Sequence, residues 1–187
     1  MPNFIMICGP QAVGKMTVGQ ELEKITGYKL LYNHMTIEIT RKIFDYDQEV
    51  LKRVNTLIRN EIFEEFSKSK EKGIIFTCCF DFGNELEDEL NYYKKWTDLY
   101  DNNYVVELEA DLEERLKRNK TENRLKHKES KRDIEMSEKR LLTAEQKHKL
   151  NSEPGQGEML FENYIKINNT HISAEDVAMM IKNKFNL

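Results

Sequence analysis

The chain has 187 residues with 29 basic and 33 acidic side chains, a formal net charge of −4, and its 39% apolar and 33% charged content is that of a soluble globular protein. Its N-terminal apolar run is about six residues, too short for a secretory signal or a membrane span. Cys8, Cys78 and Cys79 are odd in number and sit in apolar runs, which excludes a disulfide framework and fits buried thiols in the cytoplasm. A chain of this length forms one domain, 1–187, that buries roughly 70% of its unfolded surface.

Along the chain, short apolar runs alternate with longer amphipathic ones, the pattern of a parallel sheet covered by helices. Phe4 to Cys8 reads as a buried strand, and Thr17 to Thr26 as a helix with Val18, Leu22 and Ile25 at helical spacing and Gly27 as its stop. Lys29 to Tyr32 is a second strand. Gln48 to Lys70 sets Val50, Val54, Leu57, Ile58, Ile62 and Phe66 near one face of a long helix. Gly73 to Phe80 is a third strand, followed by a helix over Asn84 to Lys95 with Asn84 as its cap, acids early and lysines late, as the helix dipole favours. Tyr104 to Glu109 is a fourth strand with a helix from Asp111, Asn151 to Gly157 is a loop, and Tyr164 to Asn168 is a fifth strand. A last helix starts at Ser173, capped by Ser173-x-x-Asp176 and burying Val177, Met180 and Ile181.

Between the first strand and the first helix lies Gly9-Pro10-Gln11-Ala12-Val13-Gly14-Lys15-Met16-Thr17, which matches G-x-x-x-x-G-K-[ST] at every position except the last. In such a segment the backbone N–H groups and the helix start surround nucleotide phosphates, and the lysine reaches the β- and γ-phosphates. Glycine is required where a side chain would block that approach. Gly9, Gln11, Ala12, Val13, Gly14, Lys15, Met16 and Thr17 are therefore nucleotide-binding candidates, and Lys15 a catalytic one that stabilises charge during transfer. Met16 stands where a hydroxyl usually meets Mg²⁺, and a soft thioether is a poor partner for a hard cation.

Charge is unevenly spread. From Arg115 to Lys149 there are 13 Lys/Arg and 6 Asp/Glu, a net of +7, leaving 16 basic and 27 acidic residues elsewhere, a net of −11. The segment predicts either an anionic partner or a salt-bridged helical surface. Asp81 closes the third strand at the rim where ligands gather in open α/β sheets; it serves either as an Mg²⁺ ligand through water, as an orienter of an acceptor hydroxyl, or as a cap for the next helix. Asn33, His34 and Arg41 follow the second strand at the same rim as acceptor-binding candidates, with His34 as a candidate base and helix capping as the alternative for the first two.

On these residues the chain resembles the P-loop small-molecule kinases, a group with shikimate, gluconate and adenylate kinases and chloramphenicol phosphotransferase. The resemblance covers nearly the whole chain in element order, and the specific motif is Gly9 to Thr17. It implies a three-layer αβα fold with a five-stranded parallel sheet and a mobile helical lid over 115–149. It also implies ATP and Mg²⁺ as cofactors, and Arg118 and Arg124 as nucleotide contacts with Arg132 as a transition-state clamp. By resemblance to the G-K-G-T loop of adenylate kinases, the metal is held largely through water, Thr17 meets the α-phosphate and is an alternative metal ligand, and Asp81 lies near the metal. The D-G-[FY]-P-R segment of adenylate kinases and the triple glycine of shikimate kinases are absent, so the small-molecule acceptor is not specified. The expected activity is ATP-dependent transfer to a hydroxyl, by a monomer or homodimer. A regulatory nucleotide-binding module without transfer, and a nucleic-acid 5′-hydroxyl kinase using the basic segment, are the alternatives.

Overall fold

The computed structural model describes residues 1–45 and 48–187. Its centre is β1 (Asn3–Cys8), whose continuous apolar run is explained by burial on both faces: Phe4, Met6 and Cys8 point to one side, Ile5 and Ile7 to the other. β1 pairs in parallel with β3 (Gly73–Thr77), Ile5 opposite Ile75, and with β4 (Asn102–Glu109), Ile5 opposite Tyr104. β2 (Lys29–Tyr32) adds outside β3 and β5 (Tyr164–Asn168) outside β4, for an all-parallel order β2-β3-β1-β4-β5. The chain turns to opposite sides of β1 in making this order, which opens a crevice beyond the carboxyl end of that strand.

Helices α1 (Lys15–Thr26) and α9 (Ala174–Phe185) cover one face, with Val18, Leu22, Val177 and Ile181 packed on Ile5, Ile7 and Val106. On the other face, α3 (Glu49–Ser67) and α4 (Leu86–Thr97) bring Phe63 and Trp96 onto Phe4 and Phe76. Phe63 meets Phe4 and Phe76 edge-on at 5.5 and 5.1 Å between centroids. Fully burying each such side chain stabilises the fold by roughly 1.5–3 kcal/mol. Among the described residues no helix is long and apolar enough to cross a membrane.

Several elements differ from expectation. In α3 the buried positions are Leu51, Asn55, Phe63 and Ser67, while Leu57 is 60% exposed. The inner face is turned because Asn55 serves a polar cluster rather than the apolar stripe. β3 ends at Thr77 instead of Phe80, and α4 starts at Leu86 with Glu85, not Asn84, at its cap position. The turn between them is closed instead by Asp81 Oδ1, which accepts from the Gly83 N–H at 2.8 Å. The expected loop at 151–157 already contains the start of α8 (Gln156–Leu160), where Gly157 lets the backbone lie against the Tyr164 ring. The short helix α2 (His34–Thr40) follows β2. The basic segment folds as α5 (Leu112–Arg118), α6 (Glu122–His127), a 3-10 turn at Glu129–Lys131, and α7 (Ile134–Lys147).

Candidate functional site

Beyond the end of β1, Gly9 (φ 133°), Ala12 (φ 62°) and Gly14 (φ 110°) take left-handed backbone conformations that wrap the loop around the start of α1. Gly9 is obligatory: a Cβ there would run into the Leu108 carbonyl oxygen of β4. The Val13 carbonyl is pinned by two donors, Arg118 Nη1 and Asn169 Nδ2, both at 2.9 Å. Gly14 gives α1 no side-chain cap, so the first-turn N–H groups face the loop without an intrahelical partner, a geometry suited to an anion. Lys15 Nζ folds over the loop, donating to the carbonyls of Gly9 at 2.6 Å and Pro10 at 2.7 Å, with Cys79 Sγ at 3.7 Å.

The loop borders a cavity of about 520 Å³. Lys15, Arg118, Arg124, Lys128 and Lys131 all line it, and among the described residues no carboxylate does. The crowding shows in the titration of these groups. Burial, then repulsion from Arg124 and Arg140, pushes Lys131 down to about 8. Burial pushes Arg124 down to about 10, and Lys128 falls well below the lysine range through burial and the charges of Arg124 and Lys15. His34 is depressed strongly by burial and by Lys128, Lys131, Arg124 and Lys15, so it stays a neutral imidazole. Three buried polar atoms on the cavity lining have no hydrogen-bond partner within the protein: Gln11 Oε1, His34 Nε2 and Arg124 Nε. Converging cations with no lining carboxylate among the described residues, and the unmet Arg124 Nε donor, describe a site that fits a polyanion.

The structure brings Gln11, Ala12, Val13, Gly14, Lys15, Met16, Thr17, Asn33, His34, Arg118 and Arg124 to this cavity, together with Ile172, Ser173 and Ala174 at its far end. Gly9 shapes the loop without lining the cavity, and three further expected residues lie elsewhere. Arg132 is exposed and its Nε donates to the Leu125 carbonyl at 3.2 Å, because the 3-10 turn aims Lys131 inward in its place. Arg41 is exposed and pairs with Glu38 at 3.4 Å. Asp81 is buried at 3% exposure away from the cavity, bonded to His148 Nδ1 at 2.9 Å and to the N–H groups of Gly83 and Lys149. Arg118 lines the cavity but is largely committed to structure, donating to Val13, Asn169 and Thr170 oxygens and pairing with Glu114 at 2.9 Å.

The chain superposes along its whole length on solved structures that include small-molecule kinases. With shikimate kinase from Acinetobacter baumannii in complex with shikimate, the TM-score is 0.61 at 19% identity, covering 100% of this chain and 94% of that one. A gluconokinase from Sinorhizobium meliloti 1021 gives 0.59 at 14% identity, covering 99% and 92%. The Deinococcus radiodurans tunicamycin resistance protein gives 0.60 at 15% identity, covering 100% and 97%. The fold is that of the P-loop small-molecule kinases. No protein-family model matches the chain, and no curated protein matches its sequence.

Within this P-loop kinase fold, the donor set is a poor cage for a resident divalent metal. The cavity offers the Thr17 hydroxyl, which Asn123 Nδ2 approaches at 3.4 Å, and the thioether of Met16, but no carboxylate among the described residues. Asp81, Glu85 and His148 bring potential ligand atoms within 4.8 Å of one another outside the cavity, but both oxygens of Asp81 already accept hydrogen bonds. Sequence reasoning missed Lys128 and Lys131. The basic segment was visible, but which of its side chains turn inward is set by how α6 and the 3-10 turn settle over the loop. It also missed Thr77 and Cys79, which line the cavity from the carboxyl end of β3.

Proposed function

We propose that the protein is a phosphotransferase that moves the γ-phosphoryl group of ATP to a hydroxyl of a small molecule. The observation that carries the reading is the convergence of Lys15, Arg118, Arg124, Lys128 and Lys131 on one cavity without a lining carboxylate among the described residues. The first-turn N–H groups of α1 and Lys15 hold the β- and γ-phosphates, and Lys15 exchanges its two loop carbonyls for phosphate oxygens. Arg124, Lys128 and Lys131 neutralise the charge that spreads over the phosphoryl oxygens in flight. The acceptor oxygen forms its bond to the γ-phosphorus as the bond to the β–γ bridging oxygen breaks, and the hydroxyl proton leaves to water. His34, held neutral among cations, is unsuited to the role of base expected for it and instead offers Nε2 as a hydrogen-bonding group. Any magnesium arrives with the triphosphate.

The test is ATP binding and γ-phosphate transfer across a broad panel of hydroxyl compounds, for the native chain and Lys15→Ala. Lys15→Ala should lower turnover at least about 10²-fold, the scale of one lost electrostatic group in a transfer site. A native protein that neither binds ATP nor phosphorylates any compound, with Lys15→Ala indistinguishable from it, ends the proposal.

A further inference from the structure

A second cavity, of about 410 Å³, adjoins the first and shares Asn33, Ile37 and Cys79 with it. It opens where α3 and α4 cross the face of the sheet, within the size range of small-ligand sites. Five rings border it: Phe76 and Phe80, from β3 and the segment after it, are fully buried behind the lining, Trp96 of α4 is nearly so, and Tyr92 and Tyr93 of α4 present partly exposed ring surface. Trp96 is fixed by its Nε1, which donates to Asn60 Oδ1 at 2.9 Å, and by Phe63 and Phe76 at 5.0 and 5.3 Å, while Tyr92 stands 6.3 Å from it and remains about half exposed.

Three of the polar groups on the same lining, Asn33, Asn55 and Arg59, are spent on one another and on Thr36. Arg59 donates to the Thr36 hydroxyl at 3.0 Å and to the Asn33 carbonyl at 3.1 Å, and also to the Asn33 side-chain oxygen. In the amide orientation that satisfies both its ends, Asn55 donates to Thr36 and accepts from Arg59 at 2.7 Å. Lys52 turns to Glu49 at the surface, at 3.1 Å. A polyol would lose a water for each hydroxyl it buried, whereas a ring finds the partly exposed rings of Tyr92 and Tyr93 to stack on.

We infer that this second cavity receives an acceptor built on a flat aromatic ring, with the hydroxyl to be phosphorylated at its Asn33–Cys79 end, and that it discriminates against sugar-like polyols. The inference rests on the first cavity being the triphosphate site. At the shared end the acceptor hydroxyl lies toward Lys15, whose Nζ is 3.7 Å from Cys79 Sγ. Glu89 also lines the cavity, and burial pushes its carboxyl up to about 7 against a backbone hydrogen bond at Asp81 that lowers it, with the charges of Glu85 and Asp81 adding to the rise.

Trp96 is the only tryptophan in the sequence, so its fluorescence reports on this cavity directly. Titrating the full chain and Lys15→Ala with 2-phenylethanol and 2-(4-hydroxyphenyl)ethanol, against shikimate and gluconate, should give saturable changes for the ring compounds at concentrations at least tenfold lower than for the polyols. Tyr92→Ala should weaken ring binding at least threefold and Tyr92→Phe should restore it, with circular dichroism confirming that both fold. Equal or tighter binding of the polyols, or no Trp96 response to the ring compounds, overturns the inference. Phosphate transfer to a polyol without ring binding does so too while leaving the kinase reading intact. Ring binding with no ATP binding removes the kinase reading and leaves the selectivity of the cavity standing.

Discussion

Lys131 and Arg132 are neighbours of the same charge, and only one faces the cavity. Lys131 is 4% exposed and is held near 8, whereas Arg132 lies in solvent against the Leu125 carbonyl. No local pattern in Lys131-Arg132-Asp133 distinguishes them, since a basic pair in a charged segment reads the same whichever member turns inward. Lys15, by contrast, was legible because its partners Gly9 and Gly14 are contiguous with it and each is required by a local geometry. The depressed value gives Lys131 a testable signature. The unfolded chain holds this proton up to the ordinary lysine range and the folded chain releases it near 8, so between those limits the unfolded state binds more protons and stability rises with pH. A bound triphosphate restores the proton, so ATP affinity should fall over the same window. Lys131→Met should flatten both trends, by up to about 1.4 kcal/mol per pH unit for stability. Urea unfolding from pH 7 to 10, with and without ATP, reads both. Parallel slopes for variant and native protein would contradict the assignment.

β2 and β5 match the expected strands residue for residue, and α9 begins at the Ser173 cap with Ser173 accepting from the Asp176 N–H at 3.1 Å. These elements were legible because apolar spacing and caps are local signals. α2 and α8 are too short to carry a period, and the end of β3 depends on a partner 67 residues away in sequence. That partner is His148, just past α7, and with it the carboxyl end of the basic segment is latched onto the sheet. Phe82 N–H donates to the Lys149 carbonyl at 2.7 Å, and Lys149 N–H donates to Asp81 at 3.1 Å. Burial pushes the Asp81 carboxyl up, but the bonds from His148, Gly83 and Lys149 outweigh it and hold the group below its ordinary range. Its contribution is therefore present above the unfolded carboxyl range and lost as pH falls through the lower folded value. Asp81→Asn should cost about 1–3 kcal/mol at neutral pH, the scale of hydrogen bonds to a charged group, and the difference should shrink below about pH 4. ATP affinity and magnesium dependence should stay within about threefold of native. A selective loss of magnesium-dependent turnover in a stably folded Asp81→Asn would instead return Asp81 to the metal.

At the scale of the whole molecule, a segment of net +7 on a body of net −11 suggests a surface that attracts nucleic acid. The fold redirects that charge. Arg115 is buried and pairs with Glu145 at 2.7 Å, Arg124 and Lys131 are buried at the cavity, and Arg118 is committed to the loop. On the outside, Lys117, Lys120 and Lys149 pair with Glu113, Glu138 and Glu153 at 2.9, 3.2 and 2.6 Å. Such exposed pairs add little stability, but in each the carboxylate offsets the cation that a phosphate backbone would feel nearby. A duplex is too broad to enter a cavity of about 520 Å³, whereas a mononucleotide polyphosphate can. Non-specific nucleic-acid binding draws its affinity from several surface cations that each displace a counterion, and among the described residues the basic segment leaves Lys126, Arg132, Lys139 and Lys147 exposed without an acid partner, fewer than the roughly 6–10 phosphate contacts of a strongly salt-dependent binder. A single-stranded 20-mer should therefore bind more weakly than about 100 µM at physiological salt, below the usual range for non-specific binders, and ATP should not displace it where it binds at low salt. Fluorescence anisotropy of a labelled oligonucleotide across a salt series measures both. Micromolar binding at physiological salt, competed by ATP and weakened by Arg124→Ala, would mean that the basic segment opens outward and that the acceptor is a polynucleotide end.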